Sequence, residues 1–336
     1  MGNQESSSSS SKKTDPLKQR QQKAAAKFAK KLTVMKMSDI IDEFSKIKPY
    51  NPPHAIQYHP HQAFKNRYRD IECHEPTRVI LKGRPDEENY IHANWVTAGK
   101  QRYICCQGPL GHTIDDFWYM VATERVGAII MLCDLVEEGQ RKCADYWPHE
   151  DGARARYGEV DVENVSVGHS TLPRVHVTIL RITYNKKSSM LNHYNWLGWP
   201  DDGIPDDQII PIKLLDLAKD CVKPITGSSA SVQEISPIVI HCSAGIGRTG
   251  TLVAIDIARA RLHEGTTVLS IPQLIRELRD LRTHAIQGPS QYLYLYGCIL
   301  QLCVECGYLE DSITIRKWQE KCHAFLVEYK EAVLNR

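Results

Sequence analysis

The chain has 336 residues, 42% apolar and 24% charged, with a formal net charge of +2, ordinary figures for a globular protein of one domain or at most two. No run approaches the roughly 18 apolar residues of a membrane span, the polar start is not that of a secretory leader, and the near-neutral total gives no reason to expect nucleic acid as a partner. Eleven cysteines, odd in number and without the spacing of a disulfide framework, read as the reduced thiols of a cytoplasmic protein.

Charge is uneven along the chain. Residues 1–31 carry eight Lys and Arg against Glu5 and Asp15, so the remainder is net acidic. Met1-Gly2-Asn3-Gln4-Glu5-Ser6 fits the pattern for myristoylation of Gly2. One acyl chain holds a membrane only marginally, and the lysines that follow supply the second signal that attachment to an anionic membrane surface needs. Asp15-Pro16 reads as an N-cap and first helical position, with Ala24, Phe28, Leu32 and Met35 forming one stripe. The competing reading is a solvated Ser-rich leader followed by a basic helix that packs on its own domain. Residues 1–36 are therefore set apart as a Ser-rich, basic leader, 37–310 as one globular domain, and 311–336 as a C-terminal amphipathic helix carrying Ile315, Trp318, Cys322, Phe325 and Tyr329.

Within the domain, Val126–Cys133 reads as a buried strand, and Tyr157–Tyr184 alternates as antiparallel strands do. Ile238–Ile240 is a β-branched run of the parallel kind, and Leu252–Arg261 is a good helix former. Between them lie Cys242, Arg248 and a set of small residues. A loop joining a strand's end to a helix's first turn points its N–H groups inward, where they hold an anion. The same field stabilises a thiolate, and can bring a cysteine well below its free pKa of about 8.5. Arg248 adds a planar fork that matches two phosphate oxygens. Nucleophile and phosphate cradle thus share one loop.

Gly245-Ile246-Gly247-Arg248-Thr249-Gly250 also matches GxGxxG, which raises a dinucleotide site. Such a site needs its acidic residue after the next strand. Here Glu264-Gly265 comes before the strand-like stretch Thr266–Ile271, and an arginine in the turn would crowd a pyrophosphate. Cys303-Val304-Glu305-Cys306 is a lone CxxC, read as helix thiols rather than a metal site.

His241-Cys242 through Arg248-Thr249-Gly250 resembles the HCxxGxxR[ST]G signature of the protein tyrosine phosphatases, and the likeness extends over about Met37–Tyr308. It implies an α/β fold: a single domain with a highly twisted mixed central sheet flanked by helices, the phosphate-binding loop lying between a strand and a helix. Further motifs follow the family. Lys65–Ile71 resembles its phosphotyrosine-recognition loop, so Tyr68 is expected to wall the pocket and Asp70 to hold substrate amides. Glu137 in the 137–143 hairpin is expected to fix Arg248, with Lys142 near the general acid. Trp199-Pro200-Asp201 resembles the mobile acid loop, where Trp199 anchors the swing, glycine permits it, and Asp201 is the acid. Asp202 departs from the usual residue there, adding charge beside Asp201. Gln287 and Gln291 match the family's glutamine loop, and His284 falls where a larger side chain narrows the entrance.

The resemblance implies hydrolysis of phosphotyrosine-containing proteins through a cysteinyl phosphate, without metal or cofactor. Ser243, Ala244, Gly245, Ile246 and Gly247 would supply the phosphate-binding amides, Thr249 would help expel the thiolate, and His241 would orient the loop. Three alternatives stand beside it: a lipid phosphatase, which tends to carry lysines inside the loop where Ala244 and Ile246 are apolar here, a dual-specificity phosphatase, which lacks the Tyr68 wall, and a catalytically weak phosphotyrosine-binding module, whose usual sign is loss of the cysteine, arginine or acid.

Overall fold

The computed structural model describes residues 15–50, 52, 60–201, 203–225, 234–266 and 268–334. Gly2 and Asp202 lie outside the described residues, as do Lys12 and Lys13. The chain opens with α1 (Pro16–Val34) and α2 (Met37–Ile47), followed by strands β1 (Arg78–Ile80), β2 (Tyr90–Ala98) and β3 (Gln101–Cys106). Helix α3 (Ile114–Thr123) and strand β4 (Ala128–Met131) lead to a small hairpin, β5 (Val136–Glu137) and β6 (Gln140–Arg141). Strands β7 (Arg154–Tyr157), β8 (Val160–Gly168), β9 (Val175–Tyr184) and β10 (Lys187–Trp196) follow, then α4 (Ile209–Asp220) and β11 (Ile238–His241). After β11 the chain is helical: α5 (Gly247–His263), α6 (Ile271–Leu281), α7 (Pro289–Glu305) and α8 (Ile313–Leu334).

Nine strands form one sheet in the order β1-β2-β3-β11-β4-β10-β9-β8-β7. At its centre β11 runs parallel to β3 and β4, and β4 runs parallel to β10. The outer pairings are antiparallel. This is the mixed sheet expected, and its parallel centre explains the apolar run: Ile238, Val239 and Ile240 are fully buried, since helices cover both faces there. The loop at the end of β11 opens at the carboxyl edge of the parallel strands, where such sheets bind ligands.

One stretch differs from its reading. Residues 268–270 are not a strand; α6 begins at Ile271, with the Ser270 hydroxyl accepting from Gln273 N–H and a proline in the first turn. The capping pair outweighs the β-propensity of Thr and Val there.

The terminal helices share the domain's core. Asp15 caps α1 by accepting from Leu17 N–H at 2.9 Å. Ala24, Ala25, Phe28 and Leu32 are buried, and Phe28 stacks on Tyr296 of α7 with ring centroids 5.9 Å apart. Trp318 of α8 is buried too and donates its indole N–H to Leu32 O at 3.1 Å. Each large side chain so buried contributes about 1.5–3 kcal/mol, more than helix propensity supplies, so packing fixes both helices. The six cations Lys18, Arg20, Lys23, Lys27, Lys30 and Lys31 remain exposed on α1's outer face.

Candidate active site

Cys242 closes the end of β11 and is 4% exposed. Its Sγ accepts the Gly245 N–H at 3.3 Å. That geometry depends on glycine: Gly245 has φ +70°, and a Cβ there would stand 2.0 Å from Cys106 O. Arg282, 1% exposed, grips the loop from behind, donating to Gly245 O at 3.1 Å and Ala244 O at 3.0 Å. Drawing these carbonyls outward turns the loop's amides inward. Further bonds to Asn94 Oδ1 at 2.7 Å and His92 Nδ1 at 3.1 Å tie Arg282 to β2.

The tautomer of His92 in β2 is settled by its neighbours. Nδ1 accepts from Arg282, so Nε2–H donates to Ile71 O at 3.0 Å. Burial, and next the Arg282 charge, push its pKa down to about 3. A second neutral histidine stands beside Cys242. His241 Nδ1–H donates to Cys242 O at 3.2 Å, leaving Nε2 to accept the Tyr146 hydroxyl at 2.7 Å. The Tyr146 oxygen then accepts from His193 Nε2–H at 2.6 Å. Burial lowers the His241 pKa to about 4 and lowers His193 as well.

Because these folded-state values lie below the ordinary 6.5, the unfolded chain takes up protons that the native chain refuses. Stability is therefore full above about pH 6.5 and falls toward pH 4, each histidine contributing up to about 1.4 kcal/mol per pH unit. Urea unfolding at several pH values should show this loss, with a shallower slope in His92→Asn. An equal slope in the variant would contradict the assignment.

Arg248, 3% exposed, sits in the first turn of α5. Its fork meets Glu137 from the β5–β6 hairpin in two parallel bonds, at 2.6 and 2.8 Å. It also donates to Trp199 O at 3.1 Å and to Asp201 Oδ1 at 3.0 Å. The other Asp201 oxygen lies 2.5 Å from Lys142 Nζ. Burial alone would lower the Lys142 and Arg248 pKa values. For each the facing carboxylate, Asp201 or Glu137, outweighs it and leaves the value raised. Five sequence-named residues from three separate segments thus converge around Cys242.

The loop carrying Asp201 is anchored by Trp199, which is 2% exposed, donates to Gly203 O at 3.1 Å and packs edge-on to Trp196 and Tyr294. Gly198 serves close packing: a Cβ there would lie 2.3 Å from Trp196 Nε1.

On the facing side, Ser243 donates to Lys142 O at 2.9 Å, so the Tyr68 hydroxyl donates to Ser243 Oγ, also at 2.9 Å. Arg67 pins this segment to the turn before α3, donating to Gly108 O at 3.1 Å and Pro109 O at 2.7 Å. Gln291, 6% exposed, accepts the Gln287 N–H at 3.1 Å, while Gln287 is exposed at the cleft. Between His284 and Gln287 the backbone is strained, since β-branched Ile286 has φ +62°. Its N–H donates to Ile246 O and its carbonyl accepts from Arg279, both at 3.0 Å. The buried Thr249 Oγ1 has no partner among the described residues. Asp70, Asp201, Ile246, His284, Gln287 and Gln291 line a cleft of about 1160 Å3.

Tyr146, Arg67, Arg279 and Arg282 were not singled out from sequence. A signal existed for two of them. Ile271, Leu274, Ile275 and Leu278 mark the buried stripe of α6, and Arg279 and Arg282 continue it at i+4, where a solvated arginine has no reason to be.

The protein-tyrosine phosphatase family model matches residues 62–301. Human tyrosine-protein phosphatase non-receptor type 9 is 35% identical over 283 residues, covering 81% of this chain and 48% of the relative. Human tyrosine-protein phosphatase non-receptor type 4 is 36% identical over 261 residues, 76% of this chain and 27% of the relative. The chain therefore spans about half the length, or less, of these curated relatives. Among solved structures, PTPN18 in a study of distinct HER2 tyrosine phosphorylation sites superposes with a TM-score of 0.69 at 27% identity. That match covers 83% of this chain and 99% of the other.

Proposed function

The chain belongs to the protein-tyrosine phosphatase family, and from that membership we propose that it hydrolyses phosphotyrosine in proteins. The single observation that carries this reading is the convergence of Cys242, Arg248 and Asp201. A cysteine sulfur accepts a loop amide at 3.3 Å, and an arginine fork, fixed by Glu137, bonds the acid at 3.0 Å.

A phosphate entering the loop takes the inward amides and competes with Asp201 for Arg248. The carboxyl, released from the guanidinium, then faces the ester oxygen. Cys242 attacks phosphorus as the P–O bond to the phenol breaks, and Asp201 gives its proton to the departing oxygen. In the second step a water placed by Gln287 attacks phosphorus, the P–S bond breaks, and Asp201 takes the water's proton. Arg248 and the amides stabilise the charge spread over the phosphoryl oxygens. The unpartnered Thr249 hydroxyl donates to the thiolate as it leaves. Tyr68 walls the entrance and Asp70, exposed beside it, holds the substrate backbone.

The substrate test is phosphate release from phosphotyrosyl peptides, phosphoseryl peptides and phosphoinositides. Turnover of the first alone is the expected result. Comparable release from phosphoserine would favour the dual-specificity alternative, and binding without release the non-catalytic one.

For the leader we propose N-myristoylation of Gly2 and attachment to an anionic membrane on the cytoplasmic side. Support comes from α1, where the buried stripe docks the helix while six cations face outward, each worth about 1 kcal/mol near an anionic leaflet. A myristate analogue should label the wild type and not Gly2→Ala. Equal labelling of both would end this reading.

A further inference from the structure

The cleft does not end at the phosphate loop. Helix α8 runs antiparallel to α7, with Gln319 donating to Gln301 at 2.8 Å across the pair. Counting twelve residues forward from Gln319 and twelve back from Gln301 sets Glu331 level with Pro289, at the mouth of the glutamine loop. His323, Leu326, Val327, Tyr329 and Glu331 accordingly line the same cleft as Asp201 and Gln287. Its volume, about 1160 Å3, exceeds the roughly 300–1,000 Å3 that small molecules fill, so there is room for more than one aromatic ring and its phosphate. The family match stops at residue 301, and this wall lies beyond it.

The chemistry of the wall is specific. Val327 is 47% exposed and shares the cleft with Ile204, Pro289 and Leu326. An aliphatic side chain is left at a rim where water gains nothing from it. The exposed charges on the lining are mostly acidic. Asp70, Glu138, Asp206 and Glu331 are exposed there, against Lys48 as the exposed lysine among the described lining residues.

We propose that His323, Leu326, Val327, Tyr329 and Glu331 of α8 form a specificity wall for the substrate polypeptide, selecting an apolar residue with a basic neighbour close to the phosphotyrosine. This rests on the catalytic reading above, and it commits to the substrate as occupant because the groove is continuous with the catalytic cleft. An apolar substrate side chain covers Val327 and Leu326, and a substrate cation meets Glu331 and Asp206.

The test uses the full chain with a phosphotyrosyl peptide library, with p-nitrophenyl phosphate, too short to reach α8, as the reference. Wild type should prefer peptides combining apolar and basic neighbours. Val327→Asp should lower kcat/KM for those peptides about tenfold while p-nitrophenyl phosphate kinetics hold, and Glu331→Lys should shift preference toward acidic neighbours. Both residues are exposed, so folding is preserved. Unchanged peptide preferences in both variants would overturn the proposal. So would a parallel fall with p-nitrophenyl phosphate, which would mean that α8 acts on the catalytic loops. A wild type inert toward p-nitrophenyl phosphate would instead refute the catalytic reading.

Discussion

Arg248→Lys is expected to reduce kcat/KM about 10³-fold, equally for aryl phosphates and phosphotyrosyl peptides. The guanidinium here has two tasks. Two of its N–H groups hold Glu137 at 2.6 and 2.8 Å, and the fork must still present donors to a phosphate. A lysine ammonium is a point charge on a flexible stem and cannot match two oxygens on each side at once. Removing one preorganised donor from developing oxyanion charge costs roughly 10²–10³ in rate, and loss of an arginine at a transferring phosphoryl group roughly 10³–10⁵. Because the missing interaction strengthens in the transition state, kcat should carry most of the change. Steady-state kinetics of purified protein decide the matter: a loss below tenfold would mean that the amides alone carry the phosphoryl charge.

Asp201→Ala is expected to lower kcat by about 10²–10⁴ for a phenol leaving group, the usual contribution of a positioned acid. The loss should shrink with p-nitrophenyl phosphate, whose more acidic phenol departs without a proton. It is this dependence on leaving group, rather than the size of the loss, that separates proton donation from mere damage to the loop. Structural damage would slow both esters equally, as would loss of the bond to Arg248. A uniform drop across leaving groups would therefore remove Asp201 from the acid role. Peptide binding should persist in the variant, since the phosphate still meets Arg248 and the loop amides.

The catalytic loop was legible because its chemistry is contiguous. A β-branched run, a set of small residues and a helix former specify strand, turn and helix without help from elsewhere, and Cys242 and Arg248 sit inside that string. Trp199-Pro200-Asp201 and Lys65–Ile71 were legible through their resemblance to family motifs, because locally each is a short polar loop that solvent would also suit. The boundary at residue 36 drew on composition, which records the change from basic to mixed sequence but not the burial of Phe28 against Tyr296. Thr266–Ile271 misled because local β-propensity is weaker than a capped helix start.

What the sequence determined by itself, then, was a buried strand, a turn of small residues and a helix that carry Cys242 and Arg248 together, a geometry that follows from glycine and β-branching, while the acid role proposed for Asp201 came from the resemblance. What the tertiary structure alone decided was their mutual support. Arg282 turning the loop's carbonyls outward, Tyr146 joining two neutral histidines behind Cys242, and α8 returning along α7 to the mouth of the cleft pair residues from 18 to 95 positions apart. Such contacts exist only once the core has packed, and their partners are chosen by where buried surfaces meet rather than by any pattern a local stretch can carry.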